Sequence, residues 1–588
     1  MRLVEIRLLE GPNVYRLEPT VKIEFAVGRR RTWSGQRLPG RHAVVRLGAP
    51  VPAAKAPRPA RELAAWVRRI HLLTDAGAWL RAEAGAGGRH RRNLPVAIHR
   101  GSDPGHWVVA FPWREEERAR AIAEGAWRLV ERGADPRRTP ARGLAGAPRS
   151  LVRTLRLVRE ARTTPAPWIR DGERRVPVVS ISGTNGKSTT TRMISHILRS
   201  EGRHVGTTTS DGVLVDGRLV EEGDWTGPSG ALKVLGRSDV EVAVLETARG
   251  GILLRGVGYE SNEAAVLTNV SSDHLDLQGI HTLPELAEVK SVIARITRPE
   301  GSVVLNADDP LVAAVARSVR APVCFFSLAP GSPRVRRHLA RGGRAMLLER
   351  GRLVEAEGPA RHTLLDVAEA PATLLGLARH NIANALAAAG AARALGVSRE
   401  AVAEGLRTFR PTAELAPGRL NLYRLGNRVV IVDFAHNEAG LTVVLDVAEG
   451  IASGGAGRRR PLTAIVGTAG DRPGDTLRGI GRIAAQRADR VAIKETLKYL
   501  RGSTREAVVG EILAGVVEGG GRRADVAVHE SEAAALRAML AEPAPNGAVV
   551  VLMCHEDRDG VAALLREAGA RPVDAADGLL DLVPRLQR

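Results

Sequence analysis

The chain has 588 residues, 44% of them hydrophobic and 26% charged, which is enough apolar material for several cores and the length of three or four domains. Only two cysteines (Cys324 and Cys554) are present, no run approaches the roughly 18 to 20 apolar residues of a membrane span, and the opening MRLVEIRLLEGPN lacks a signal-peptide core; a cytoplasmic globular protein is expected, and disulfide-framed, four-cysteine zinc and transmembrane classes are excluded. The net charge of +21 is concentrated at one end: residues 1–175 carry 36 Lys plus Arg against 17 Asp plus Glu, the remainder 50 against 48.

Residues 1–135 read as a basic α+β domain. The strand-like runs VKIEFAV and HWVVAF accompany helical runs such as EEERARAIAEGAWRLVERG, and seven of the eight tryptophans precede residue 170. The charge there suggests an acidic ligand. Nucleic acid is not expected, since neither zinc-finger spacing nor an RRM-type aromatic signature occurs. Residues 136–172 are rich in Pro, Arg and Gly and read as a linker, with one short basic helix candidate around Leu151 to Arg162. From 173 to 410, the apolar runs VPVVSIS, EVAVLET, EAAVLTNV and GSVVLNADD alternate with helical periodicity, which predicts a doubly wound parallel sheet. PTAELAPG then breaks the pattern, and 411–588 reads as a second, Rossmann-like α/β unit with strands VVIVDF, LTAIVG, RVAIKE and GAVVVLMC.

The strongest local signal is VPVVSISGTNGKSTTTRMISHIL. A strand runs into Gly183-Thr184-Asn185-Gly186-Lys187-Ser188, and a helix with an apolar face (Met193, Ile194, Ile197, Leu198) follows. Glycines let backbone N–H groups approach phosphates, the helix N-terminus adds positive potential, a lysine reaches the terminal phosphates and a hydroxyl holds Mg²⁺. The strict G-x-x-x-x-G-K-[ST] pattern wants glycine where Ile181 stands. An ATP or GTP site is expected all the same. Glu246 closes the next strand, where a carboxylate can ligate the nucleotide's Mg²⁺; Asn269 ends a further strand and Asp273, His274 and Asp276 follow it, at the strand ends where open α/β sheets bind ligands. In TLPELAEVKSVIARI, Leu283, Leu286, Lys290 and Ile293 share one helical stripe, so Lys290 must snorkel, find a partner or be modified.

In this order, GTNGKST, Glu246, NVSSDH, Lys290, ARHNIANALAAAGAA and VDFAHN resemble the Mur ligase superfamily. The blocks TTTSDGVLVDG, GDWTGPSGA, VLETARGGIL, TNVSSDHLDL, VLNADDP, GTAGDR and IKETLKYLRG are most similar to the C-terminal, Mur-ligase-like part of cyanophycin synthetases, from about Val176 to the region of Cys554. Residues 1 to about 135 resemble, more weakly, the N-terminal domain of the same enzymes. Those enzymes carry an ATP-grasp domain between the two parts; here the 136–172 segment stands in that place.

The resemblance implies an ATP-dependent carboxylate–amine ligase that forms an acyl phosphate and joins an amino acid, arginine first, to aspartyl side chains of an acidic peptide or polymer. Backbone extension would then fall to a separate ATP-grasp protein. By the same resemblance, Lys187 holds the phosphates, Ser188 and Glu246 bind one Mg²⁺, and His274 and Lys290 serve a second, with Lys290 carbamylated. Asn381 and Asp433 match adenine and ribose contacts, and Arg419 matches an arginine that reaches the phosphates. Gly470, Asp471, Arg472, Arg501 and Glu495 are candidates for the amino-acid pocket, whereas His380 and His436 are as readily loop packing. A homo-oligomer is expected. A Mur-type ligase with another amino acid or acceptor, and a non-catalytic nucleotide-binding partner of a separate polymerase, stay open as alternatives.

Overall fold

The computed structural model of the chain describes residues 1–28, 47–74, 94–138, 147–272, 275, 278–453 and 459–573. Among the described residues the strands form three sheets, of which the first is antiparallel, with strands β1 (Arg2–Leu9), β2 (Thr20–Ala26), β3 (Ala97–Arg100) and β4 (His106–Pro112) in the order β1-β2-β4-β3. Val21, Ile23 and Phe25 alternate inward from β2, as a strand with one covered face requires. The covering layer is made by helices Arg58–Thr74, Glu116–Glu131 and Arg149–Glu160. Leu151, Leu155 and Val158, spaced four and three apart, bury one stripe of the last helix in this core. The helix candidate inside the Pro/Arg/Gly-rich segment is therefore part of the N-terminal layer and not a free connector: its apolar stripe has a surface to bury against.

The second sheet has eleven strands: β5 (Val178–Ser182), β6 (Val205–Thr208), β7 (Gly212–Val215), β8 (Arg218–Glu222), β9 (Val242–Glu246), β10 (Asn262–Leu267), β11 (Thr297–Asn306), β12 (Val323–Ser327), β13 (Arg344–Glu349), β14 (Arg352–Glu357) and β15 (Ala360–Asp366). Their order is β15-β14-β13-β12-β11-β10-β5-β9-β6-β7-β8. The stretch from β13 to β6 is parallel, as expected of a doubly wound sheet, and antiparallel hairpins extend it at both edges. Strands β5 and β9 are buried at every position, the signature of a sheet covered on both faces.

The third sheet is built from β16 (Asn421–Leu425), β17 (Arg428–Asp433), β18 (Leu462–Val466), β19 (Arg490–Lys494), β20 (Ala527–His529), β21 (Ala548–Met553) and β22 (Arg571–Pro572), ordered β20-β19-β18-β21-β17-β16-β22. Its five strands from β20 to β17 are parallel. The N-terminal sheet is pinned to the second one. Glu10 N donates to Arg255 O at 2.6 Å, Val257 N to Pro12 O at 2.8 Å, and the Arg255 guanidinium pairs with the Glu10 carboxylate at 2.6 Å. At Gly11 a Cβ would lie 1.7 Å from Val257 O, so this approach needs glycine.

Candidate active site

Strand β5 ends at Ser182, and the chain turns through Gly183 to Gly186 into the helix Lys187–Ser200. Gly183 has φ +154° and Gly186 φ +85°; a Cβ would meet Thr268 Oγ1 at 1.9 Å in the first and Asn384 Oδ1 at 2.4 Å in the second. The loop is braced by the end of β10. Asn185 N donates to Asn269 Oδ1 at 2.9 Å, while Asn185 O accepts from Thr268 Oγ1 at 2.6 Å and Asn269 Nδ2 at 2.9 Å. A braced glycine loop opening a helix, whose first-turn N–H groups lie outside the helical ladder, is an anion cradle. Lys187 Nζ rests on Thr184 O at 2.8 Å.

Glu246, the last residue of β9, is buried beside this loop. Burial pushes its carboxyl up from the ordinary range, against the opposing pull of Lys187 and a hydrogen bond from Ser188. Its Oε2 is buried without a hydrogen-bond partner among the described residues. An orphaned carboxylate oxygen next to a serine hydroxyl is a donor set suited to a hard divalent cation such as Mg²⁺. Lys290 ends the helix Leu283–Lys290, which a capping box of Thr282 and Glu285 starts. It does not snorkel: it is 5% exposed, and its Nζ donates to Gly183 O at 2.6 Å, under the first glycine of the loop. His274, with Asp273 and Asp276, lies outside the described residues.

The opposite wall comes from the third sheet, across a cleft of about 670 Å³. Asp433, at the end of β17, accepts from Leu420 N and Ala435 N, both at 2.7 Å, and burial raises its pKa above the usual carboxylate value. Asn381 donates to Ala372 O at 2.8 Å and accepts from Asn384 Nδ2 at 3.1 Å. Arg419 lies 4.5 Å above the Phe434 ring, with Nη2 3.4 Å from Ser188 Oγ and from Ser210 Oγ. Asn185 and Asn437 exchange amide hydrogen bonds at 3.3 and 3.2 Å, joining the glycine loop to the third-sheet unit. His380 and His436 both line the cleft, and burial holds His380 neutral at about 4.

Of the amino-acid pocket candidates, Arg472 and Arg501 line the cleft. The two carboxylates among these candidates are already held by the chain's own arginines, Asp471 by Arg501 at 2.8 Å and Glu495 by Arg505 at 2.7 Å.

Sequence reading passed over Lys494, Glu532 and His555. Lys494 ends β19 at 1% exposure, and its ammonium reaches Glu532 Oε1 at 2.8 Å, His555 Nδ1 at 2.9 Å and Thr496 Oγ1 at 3.1 Å. Glu532 also accepts from the N–H groups of His555, Glu556 and Asp557, and His555 Nε2 donates to Ala435 O at 2.7 Å. The ends of β17, β19 and β21 are thus tied together on the cleft side. The available signal was scarcity: lysine occurs only seven times, and this one directly follows the apolar residues Val491, Ala492 and Ile493.

This network carries a stability prediction. Lys494→Met is expected to cost about 3–5 kcal/mol, read by urea unfolding, because it leaves a buried carboxylate without its cation. Adding Glu532→Gln should cost little more, and additive losses would show that the two do not act as a unit. Burial pulls the Glu532 carboxyl up, but Lys494 and the His555 N–H outweigh it and hold it at about 2. Its stabilisation is therefore present above 4.5 and lost as pH falls toward 2. His555 is held neutral well below 6.5 by burial and Lys494, so unfolding takes up a proton there below pH 6.5. Both groups make the protein less stable as pH drops from about 6.5.

A phosphate-type loop with an orphaned carboxylate thus faces a second α/β unit across one cleft, a site suited to a phosphate-bearing ligand and its cation. The Mur ligase middle domain model matches residues 181–392, and the Mur ligase, glutamate ligase domain model matches 418–555. The UDP-N-acetylmuramoyl-L-alanyl-D-glutamate--2,6-diaminopimelate ligase of Gloeobacter violaceus is 30% identical over 395 residues, 65% of this chain and 73% of that protein. The chain belongs to the Mur ligase family. Cyanophycin synthetases are more similar in sequence: that of Synechocystis sp. is 44% identical over 321 residues (55% of this chain, 36% of that protein). That of Trichormus variabilis is 42% identical over 344 residues, 58% of this chain and 37% of that protein. The match thus spans little more than a third of the length of these relatives. Among the described residues, no helix is long and apolar enough to cross a membrane.

Proposed function

We propose that the chain joins the amine of an amino acid, arginine first, to side-chain carboxyls of an acidic, aspartate-containing peptide or polymer, consuming ATP and releasing ADP and phosphate. A carboxylate has no leaving group until an oxygen is phosphorylated. The γ-phosphoryl group of ATP passes to that oxygen, the amine attacks the acyl phosphate carbon, and phosphate departs. Catalysis of such transfers is chiefly positioning and charge neutralisation. Lys187 and the loop N–H groups would hold the phosphates. Ser188 and Glu246 would hold Mg²⁺, which when bound neutralises phosphate charge. Arg419 would reach the same phosphates from the other side of the cleft. Lys290, with His274, would serve the acceptor side, and a carbamate on Lys290 would exchange its ammonium for oxygen donors. Asn381 and Asp433 would border the nucleoside, and the pocket at Arg472 and Arg501 would take the incoming amino acid.

The observation that carries this reading is the glycine loop and the third-sheet unit facing each other across one cleft, in a chain 44% identical to a cyanophycin synthetase over 321 residues. The division into a basic N-terminal part (1–135), a connecting segment, an ATP unit (173–410) and an amino-acid unit (411–588) belongs to the same proposal. Its basic end would hold an undecorated acidic polymer beside the cleft, and a separate ATP-grasp protein would extend the backbone.

The test is phosphate release from ATP and Mg²⁺ with a short poly-aspartate acceptor, each amino acid in turn, and product masses. Turnover with arginine and an arginine-sized mass gain is expected, with a poly-aspartate KM that rises steeply with salt. Turnover with a different amine would retain the ligase and change its substrate. No turnover across the panel would overturn the aspartyl-ligase reading.

A further inference from the structure

Asp211 lies in the turn between β6 and β7, and its side chain is 10% exposed. Its carboxylate bridges two arginines from different parts of the fold. Arg192, in the helix that the glycine loop opens, donates through Nη2 to Oδ2 at 2.9 Å. Arg558, in the first turn of helix Arg558–Glu567 of the third-sheet unit, donates through Nη1 to Oδ1 at 2.6 Å. Both arginines also grip the chain segment that connects the two units: Arg192 Nη1 donates to Leu415 O at 2.8 Å and Arg558 Nη1 to Pro417 O at 3.3 Å.

That connecting segment is under backbone strain. Gly418 has φ +64°, and Leu420, with a branched side chain, has φ +55°. A Cβ on Gly418 would lie 2.8 Å from Arg558 Cδ, so the glycine is also what lets Arg558 in. Between these two residues stands Arg419, the side chain that reaches Ser188. Arg419 and Arg558 both lie against the Phe434 ring, at 4.5 and 5.6 Å. Three guanidiniums therefore converge where the two units meet, with Asp211 among them. Burial raises the Asp211 pKa, but Arg419, Arg558 and Arg192 outweigh it and hold the carboxyl at about 2, so it is charged at any working pH.

We infer that Asp211 is a positioning residue for closure of the cleft: by neutralising Arg192 and Arg558 at the strained connection it holds the third-sheet unit against the glycine loop and sets Arg419 at Ser188. Without the carboxylate, three like charges repel across the junction while the nucleotide loop, on the central sheet, is left intact. The kinetic consequence rests on the ligase reading above; the closed-to-open ratio is read with a nucleotide analogue alone and does not depend on that reading.

The experiment uses the full chain carrying donor and acceptor dyes on Thr363→Cys and Ala524→Cys, both exposed and one in each unit, while native Cys324 and Cys554 are buried. Energy transfer is followed as Mg·AMPPNP is added. Asp211→Asn is expected to lower the closed-to-open ratio of the nucleotide-bound protein by about 30-fold or more, the scale for losing one partner of a buried charge pair, and to weaken apparent nucleotide binding by no more than that factor. Asp211→Glu should restore most of the closure. Arg558→Gln should reproduce the loss, and the double variant should lose no more than either single one. Turnover should fall with the closed fraction. Wild-type closure in Asp211→Asn, or in Arg558→Gln should the first variant not fold, would overturn the inference, as would losses that multiply in the double variant. If wild type closes but ligates no acceptor, the ligase reading fails while the dye measurement still decides the clamp.

Discussion

Replacing Lys187 with alanine is expected to lower kcat/KM for ATP by about 10³-fold, the scale for removing a group that stabilises transferring charge. Stability should hardly move. The Lys187 side chain is half-buried, and the hydrogen bond it donates ends on Thr184 O within its own loop. The loop's shape depends instead on Gly183, Gly186 and the brace from Thr268 and Asn269, all untouched by the substitution. Calorimetric titration with Mg·ATP and a urea unfolding curve separate the two effects. Weak nucleotide binding with an unfolding free energy within about 0.5 kcal/mol of wild type is the expected pair of results. Activity within a fewfold of wild type would remove the lysine from the phosphate site.

Lys290→Ala is expected to lower turnover by about 10²-fold or more through the same loop. Its Nζ is buried and donates to Gly183 O, so the unmodified side chain supports the first glycine, whereas a carbamate would add oxygen donors beside it. Carbon dioxide distinguishes the two states. If Lys290 is carbamylated, wild-type activity should fall in CO₂-depleted buffer and return with bicarbonate, and a short carboxylic acid should partly rescue Lys290→Ala by supplying the missing oxygens. Insensitivity of wild type to CO₂ together with no rescue would leave Lys290 as an ammonium that pins the loop. Full activity in Lys290→Ala would exclude both roles.

Much of the central site was legible because its determinants are local. VPVVSISGTNGKST contains a strand, two glycines at left-handed φ and a helix start within fourteen residues, and the structure builds them in that order. Glu246 was legible for the same reason, being the polar residue that ends an apolar strand. Lys290 announced itself by interrupting an apolar stripe, but its partner Gly183 lies 107 residues away and no spacing rule names it. The short helix at Arg149–Glu160 was visible as a pattern, yet its membership of the N-terminal core depends on what it meets.

Asp211 and Arg558 show where pattern runs out. Asp211 sits in a recognisable block, TTTSDG, but nothing around it distinguishes a turn residue from a clamp, and Arg558 is one more arginine in a chain rich in them. The sequence by itself determined the strand and helix pattern, the phosphate-type loop and the family, because periodicity, glycine conformations and ordered blocks are short-range properties of the chain. Only the tertiary structure decided which groups complete the cleft. The Asp211–Arg558 pair spans 347 positions and the Asn185–Asn437 pair spans 252. Each exists because two separately folded sheets are held at one relative position, and that position is set by burial and charge neutralisation at their junction rather than by any local run of residues.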